Sequence, residues 1–259
     1  MSTSSPRSAL LAAWGCAWLS GEASLPELVE RVTVADDEHR VVGLAVDDVP
    51  LESAVGRLRA DGVTRLRVVL PAPGDVSSLP GPGPFSSAAL VASEGVLALR
   101  ADGTGRGLVP TVTAHGSEFD GTVTTVVWQA FALDAPVPDR GPWLHDAEHD
   151  LRRGVVEAAT ALRDLDVARW RPEVADALTD LRRDARRGLD DELPGSFPPR
   201  ARQLLAQARQ LGGVLSLAAE DHGGAVDTHE TAVRERALRE LGVLVRRARL
   251  AAYNSWGAA

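Results

Sequence analysis

Residues 41–70, VVGLAVDDVPLESAVGRLRADGVTRLRVVL, decide how the first half of the chain folds. They begin and end on β-branched runs, Val41 to Val46 and Leu66 to Leu70, and both read as strands. Between them, from Leu51 to Ala60, the residues Leu51, Ala54, Val55 and Leu58 recur every three or four positions. That spacing puts all four on one side of a helix, facing inward. The stretch is a β-α-β unit. If its strands are neighbours in one sheet they run parallel, joined by a right-handed crossover.

Toward the N-terminus, Ser24-Leu25-Pro26-Glu27 combines a capping box with a proline in the first turn, so a short helix starts there. Before it, Leu10, Leu11, Trp14, Ala17 and Trp18 recur at helical spacing and place both tryptophans on one stripe. With few basic residues beside it, that stripe is expected to face the core and not an anionic bilayer. The apolar stretch Ala9 to Leu19 is read as this helix and not as an export signal. A single arginine precedes it, Gly15 and Cys16 interrupt it, and no small-x-small cleavage pattern follows before Glu22. No apolar run approaches the ~20 residues that cross a bilayer, so no membrane partner is expected.

Toward the C-terminus, a proline- and glycine-rich loop runs from Pro71 to Pro84. Three strands are expected after it, around Gly95 to Arg100, Leu108 to Ala114 and Thr122 to Leu133, with Asp102-Gly103 and Asp120-Gly121 as hairpin signals. Strand character ends at Pro136 and Pro138. Four helical stripes follow, over about Pro142 to Leu165, Pro172 to Leu189, Arg200 to Glu220 and Thr228 to Ala252. Gly212-Gly213 is expected to bend or split the third. The fold class is therefore α+β. A mixed β-sheet with short helices occupies residues 1–140, followed by a helical domain over 141–259 built as a four-helix bundle.

Composition sets the outer bounds. The chain has 259 residues, 36 acidic and 28 basic side chains, a net charge of -8, 44% hydrophobic and 25% charged residues. Such a chain buries a substantial core, which excludes disorder for its bulk. Its single cysteine, Cys16, excludes an internal disulfide, and no Cys/His spacing suits a zinc ribbon; a reducing cytoplasm is the expected location. Every basic residue is arginine. The acidic balance excludes a general nucleic-acid binder, whose affinity comes from neutralising phosphates. Acidity is uneven: residues 1–140 hold 17 acids and 10 arginines, residues 141–259 hold 19 acids and 18 arginines.

The sharpest chemical pattern is His145-Asp146-Ala147-Glu148-His149, the His-x-x-Glu-His form of inverted zinc peptidases. The likeness covers five residues, and the large architecture of those peptidases does not fit this length. At 100° per residue from the apolar axis of its helix, Glu148 lies at about 40°, His145 at about 100° and His149 at about 140°. All three share one side. Two imidazoles one turn apart can share a cation, with Glu148 as base toward a bound water. A third ligand is needed, and His229 is taken for it from among Glu220, His222, Asp227, His229 and Glu230. The plainer role for Glu148 is an ion pair, with Arg152, Arg153, Arg169 or Arg171 as partner, because a carboxylate in an apolar arc must be paired or have a raised pKa.

Other features read as structural. Arg182, Arg183, Arg186 and Arg187 form a fan on the second bundle helix, neutralised by Asp180, Asp184 and their neighbours. The Pro71 to Phe85 loop lacks the amide donors of a phosphate cradle and serves at most as a rigid wall or lip. No nucleophile elbow is present, and no cofactor is assigned. Three functions follow in order. The first is a non-catalytic cytoplasmic protein whose helical region binds a protein partner or self-associates as a homo-oligomer. The second is a metal-dependent hydrolase using His145, Glu148, His149 and His229. The third is a small-ligand binder with a pocket where the Pro71 to Phe85 loop meets the helical part.

Overall fold

The computed structural model describes residues 5–117, 121–139, 141–164, 189–220 and 228–257. They form two compact units. One comprises Ser5–Gly141 together with Asp191–Ser196; the other comprises the described residues of Pro142–Asp190 and Phe197–Ala259.

The first unit is α+β. Its elements are α1 (Arg7–Leu19), α2 (Leu25–Thr33), β1 (Glu38–Val42), β2 (Val49–Pro50), α3 (Leu51–Ala60), β3 (Val63–Val69), α4 (Pro84–Ala92), β4 (Gly95–Arg100), β5 (Gly105–Ser117) and β6 (Gly121–Leu133). The strands form one mixed sheet in the order β2-β1-β6-β5-β4-β3. Every neighbouring pair is antiparallel except β1 and β6, which run parallel with Val41 beside Trp128. The β-α-β unit expected from residues 41–70 is therefore not formed. Its two strands are separated by three others and run in opposite directions, and α3 connects the two edges of the sheet while packing on β1, β2 and β3. The helix itself spans the residues its spacing indicated, with Leu51, Ala54, Val55 and Leu58 buried.

The first strand is also shorter than its β-branched run suggests. It stops at Val42 because Gly43 adopts φ +82°, a left-handed turn, and Val46 is left fully exposed. The chain then returns as β2, pairing Val49 with Val41.

Helix α1 is buried on almost every side, from Ser8 through Trp18, and lies against β3, β4 and β5. A helix that is apolar all round belongs in a core. Gly15 lets it approach the sheet closely, since a Cβ there would sit 2.0 Å from the Leu66 methyl. The two tryptophans are capped by cations: Arg31 lies 5.2 Å from the Trp14 ring and Arg59 lies 5.0 Å from the Trp18 ring. The Trp14 indole N–H donates to the Asp191 carbonyl at 2.8 Å, so the segment Asp191–Ser196 completes this core. Helix α2 carries the expected cap, with Ser24 accepting from the Glu27 amide at 3.2 Å.

Helix α4 has no counterpart among the expected elements. Its sequence, PFSSAALVA, is short and built of small residues, so no apolar stripe marks it. It forms because Pro84 opens its first turn and because Phe85 and Ala89, one turn apart, are buried against Leu97, Leu99 and Val109 on the sheet face opposite α1. Hairpin β4-β5 turns at Asp102-Gly103 as its sequence indicates, with the Asp102 carboxylate accepting from the Thr104 amide at 2.9 Å. Asp120 lies outside the described residues.

The second unit is helical: α5 (Leu144–Asp164), the first two residues, Leu189 and Asp190, of α6 (Leu189–Glu192), α7 (Pro199–Glu220) and α8 (Thr228–Tyr253). Ala147, Leu151 and Ala158 of α5, Leu204 and Ala208 of α7, and Leu241, Val245 and Ala248 of α8 form its core. Helix α8 packs on both α5 and α7. Gly154 sets the α5–α8 distance, because a Cβ there would meet the Leu244 methyl at 2.1 Å. Helix α7 runs unbroken through Gly212-Gly213, contrary to the expected split; its ladder is held by the packing of α7 along α8, where Gly212 faces Val245. The helix expected over Pro172 to Leu189, with its arginine fan, lies outside the described residues apart from Leu189. No helix among the described residues is long and apolar enough to cross a membrane.

Candidate functional site

His145 and His149 lie on the first two turns of α5 and are both exposed. Glu148 between them is 19% exposed and is engaged by two arginines. Arg152, one turn along α5, pairs with one carboxylate oxygen, and Arg200 at the start of α7 donates to the other at 2.8 Å. The hydrogen bond from Arg200 outweighs desolvation and holds the Glu148 carboxyl below its ordinary pKa, with the charges of Arg152, Arg200 and His145 acting the same way. Of the partners expected from sequence Arg152 is present, while Arg200 was not anticipated. It is distant in sequence and is brought near only by the packing of α5 with α7. Glu148 thus ties one helix to another.

His229 belongs to the first turn of α8, but its side chain, like those of Glu220 and Glu230, is outside the described set, as are His222 and Asp227 altogether. Among the described residues, no three His, Cys, Asp or Glu side chains are grouped to hold a metal ion. What His145 and His149 offer is an open imidazole pair beside an ion-paired carboxylate.

A second polar constellation, in the α+β unit, is buried. Asp36 precedes β1, and its side chain is 1% exposed. Arg7, at the start of α1, grips both of its oxygens, with Nε to Oδ2 at 2.7 Å and Nη2 to Oδ1 at 2.5 Å. His39 Nε2 lies 3.0 Å from Oδ2, and Trp128 Nε1 donates to His39 Nδ1 at 3.2 Å. Since an indole can only donate, Nδ1 must accept, and the proton of the neutral ring sits on Nε2 and donates to Asp36. Burial pushes the His39 pKa down, and Asp36 only partly restores it. Burial alone would raise the Asp36 carboxyl, but the bonds from Arg7 and His39 outweigh it, so the net pKa is lowered. The chain Arg7–Asp36–His39–Trp128 joins α1, β1 and β6 with each polar group matched to another.

Sequence reasoning passed over this network. Its one local signal is strand alternation: in Glu38-His39-Arg40-Val41, His39 shares a face with buried Val41, and the outward positions are charged. Glu94 belongs to the same neighbourhood. Helix α1 has no side-chain cap of its own, and the Glu94 carboxylate accepts from the Ser8 amide at 2.7 Å, supplying one from a distant part of the chain.

One concave surface of the α+β unit is an open groove of about 780 Å³ between α4 and the faces of β5 and β6. Ser87, Ala88 and Val91 form one wall, and Val109, Gln129 and Phe131 form the floor. Pro84, at the end of the proline-rich loop, lines its rim. The groove is largely apolar, with Ser87, Glu94, Thr111 and Gln129 as its polar lining.

Residues 8–142 match the profile of the Rv1486c-like protein N-terminal domain, and residues 145–250 match that of the Rv1486c-like protein C-terminal domain. The chain belongs to the Rv1486c-like protein family. It is 29% identical to the uncharacterized protein Rv1486c of Mycobacterium tuberculosis over 93% of this chain and 94% of that protein. It is 27% identical to the uncharacterized protein ML1804 of Mycobacterium leprae over 95% of each, and 33% identical to the uncharacterized protein MAV321 of Mycobacterium avium over 59% of each. No solved structure matches the chain. Nothing in these relatives points to catalysis, and none of them assigns the family a function.

Proposed function

We propose that this chain is a non-catalytic cytoplasmic protein whose helical domain, residues 141–259, binds a protein partner. In this reading the helix expected over 172–189 completes a four-helix bundle that leaves the seam of Val155, Leu211, Leu215 and Leu244 open, and the α+β domain, residues 1–140, is a separate scaffold. One observation carries the proposal. Around the core of α5, α7 and α8 the apolar side chains Val155, Leu211, Leu215 and Leu244 pack inward yet stay partly exposed. A half-open apolar seam between helices is the surface that takes up an amphipathic helix of a partner. The balance of 19 acids against 18 arginines in this part of the chain means that a partner of either charge can approach it.

A photo-reactive residue placed at Leu215 in cells tests this. The expected product is a covalent adduct with a foreign protein, lost when Leu211→Glu is added and absent when the probe sits instead at exposed Arg239. No adduct at Leu215, or equal labelling from both positions, contradicts the proposal. An adduct of the chain with itself replaces the foreign partner by a second copy.

The hydrolase alternative rests on the open pair His145 and His149 with Glu148. Its test is metal analysis of the purified protein beside His145→Ala, where a stoichiometric transition metal lost in the variant supports it.

A further inference from the structure

Hairpin β5-β6 extends well past the rest of the sheet. Strand β4 pairs with β5 only as far as Val96 beside Leu108, whereas β5 continues in unbroken register with β6 to Ser117 beside Gly121. From Val109 to Ser117, β5 has β6 on one side and no strand among the described residues on the other. The Arg100 amide donates to the Thr104 carbonyl at 2.8 Å, which sets the even-numbered residues of β5 toward β4. The constant register carries that parity onward, so the backbone groups of Val112, Ala114 and Gly116 face the open edge. Pro110 also falls on that side, where its missing N–H breaks no bond to β6.

An exposed strand edge normally carries charges that discourage pairing with another chain. This one carries none. Neither Val109 to Ser117 nor Gly121 to Leu133 contains Asp, Glu or Arg, in a chain where 25% of residues are charged. Thr111, Val112, Ala114 and His115 are exposed, and Val112 and Val123 expose 43% and 51% of their surface. The opposite edge of the same hairpin is closed from Thr124 to Gln129. Strand β1 covers Thr125 to Gln129, and beyond it Asp37 takes both backbone groups of Thr124, its carboxylate accepting at 2.6 Å and its amide donating at 2.9 Å.

We infer that the open edge of β5 over Val112 to Gly116 pairs antiparallel with the same edge of a second copy, forming a dimer through a β6-β5-β5-β6 layer. Three properties select a second copy. An antiparallel edge is complementary to itself about a two-fold axis. The excess of 17 acids over 10 arginines in residues 1–140 makes copies repel over the rest of this part of the chain, and the uncharged strand segment Val109 to Ser117 is where they can approach. With the β6 edge closed from Thr124 to Gln129, pairing through this hairpin stops at two copies and does not run on into a fibre. The contact lies on the α+β unit and is independent of the helical seam.

Sedimentation velocity of the full chain over a concentration series tests the inference. The expected mass rises from 27.4 kDa toward twice that value. Val112→Pro removes an outward amide without touching the β6 ladder, and Ala114→Arg sets like charges face to face; each restores the monomer while Leu215→Glu leaves the dimer intact. In the wild type, hydrogen exchange at Val112 and Ala114 slows as the dimer forms, while Thr113, bonded within the hairpin, does not change. A monomer at every concentration, a dimer indifferent to both hairpin variants, or fast exchange at Val112 and Ala114 in the dimer overturns it.

Discussion

Asp36 and Glu148 are both carboxylates held by arginine with a histidine nearby, one inside the α+β unit and the other at the rim of the helical unit. Asp36 is 1% exposed and its partners come from α1 and β1, whereas Glu148 is 19% exposed and is met by arginines of 62% and 66% exposure. The buried group cannot lose a partner without leaving a charge uncompensated, while water can replace the partners of the rim group. Sequence pattern alone ranks them the other way, because His-x-x-Glu-His is a memorable motif and Asp36-x-x-His39 is not. The structural weight of a charge follows its burial and the span of chain it ties together.

The largest expected effect that divides the two regions is therefore Asp36→Ala. It strands Arg7 and His39 and costs about 3 kcal/mol, read as a fall in the denaturant midpoint at unchanged slope. A loss below about 1 kcal/mol would mean that water reaches the network. Next come the two glycine contacts. Gly15→Ala drives a methyl into buried Leu66 and costs roughly 2 kcal/mol, while Gly154→Ala meets Leu244, which is partly exposed and can swing aside, and costs less than about 1 kcal/mol. Equal losses at both sites would erase the contrast.

The third difference is acid sensitivity. His39 has its pKa lowered from 6.5 in the fold, so below pH 6.5 the unfolded chain binds a proton that the native chain refuses. Stability falls on acidification from that point down to the folded value. Asp36, lowered from 3.8, contributes stability that is present above 3.8 and is lost as pH drops through its folded value. Melting temperature against pH should show the first decline in the wild type and a flatter profile in His39→Gln; parallel profiles would remove His39 as the source. The smallest effect is at the rim. Glu148→Gln should change stability by about 0.5 kcal/mol, diminishing in high salt.

Legibility followed the same physics. Helix α3 and strand β4 lie where the sequence places them because each has a complete local pattern, an apolar stripe in one and an unbroken β run in the other. The cap at Ser24 and the turn at Asp102-Gly103 are local chemistry and were equally readable. The sheet order was not. Pairing β1 with β6 joins Glu38 to Thr125, and no local spacing encodes a contact between segments so far apart. Helix α4 escaped because small residues carry no amphipathic signal, and the Arg7–Asp36–His39–Trp128 chain escaped because it draws on α1, the β1 approach and β6 at once. At Glu148, the partner within its own helix could be foreseen and the one from α7 could not.

The measurement that bears most directly on the account is a scan of one cross-linking probe over three positions of the full chain in cells: Leu215 on the half-open helical seam, Ala114 on the open strand edge, and His149 beside the charged rim. The expected result is a foreign adduct from Leu215, an adduct of the chain with itself from Ala114, and none from His149. Adducts arising from His149 alone would contradict it, because the charged rim and not the uncharged surfaces would then be where the molecule meets its partners.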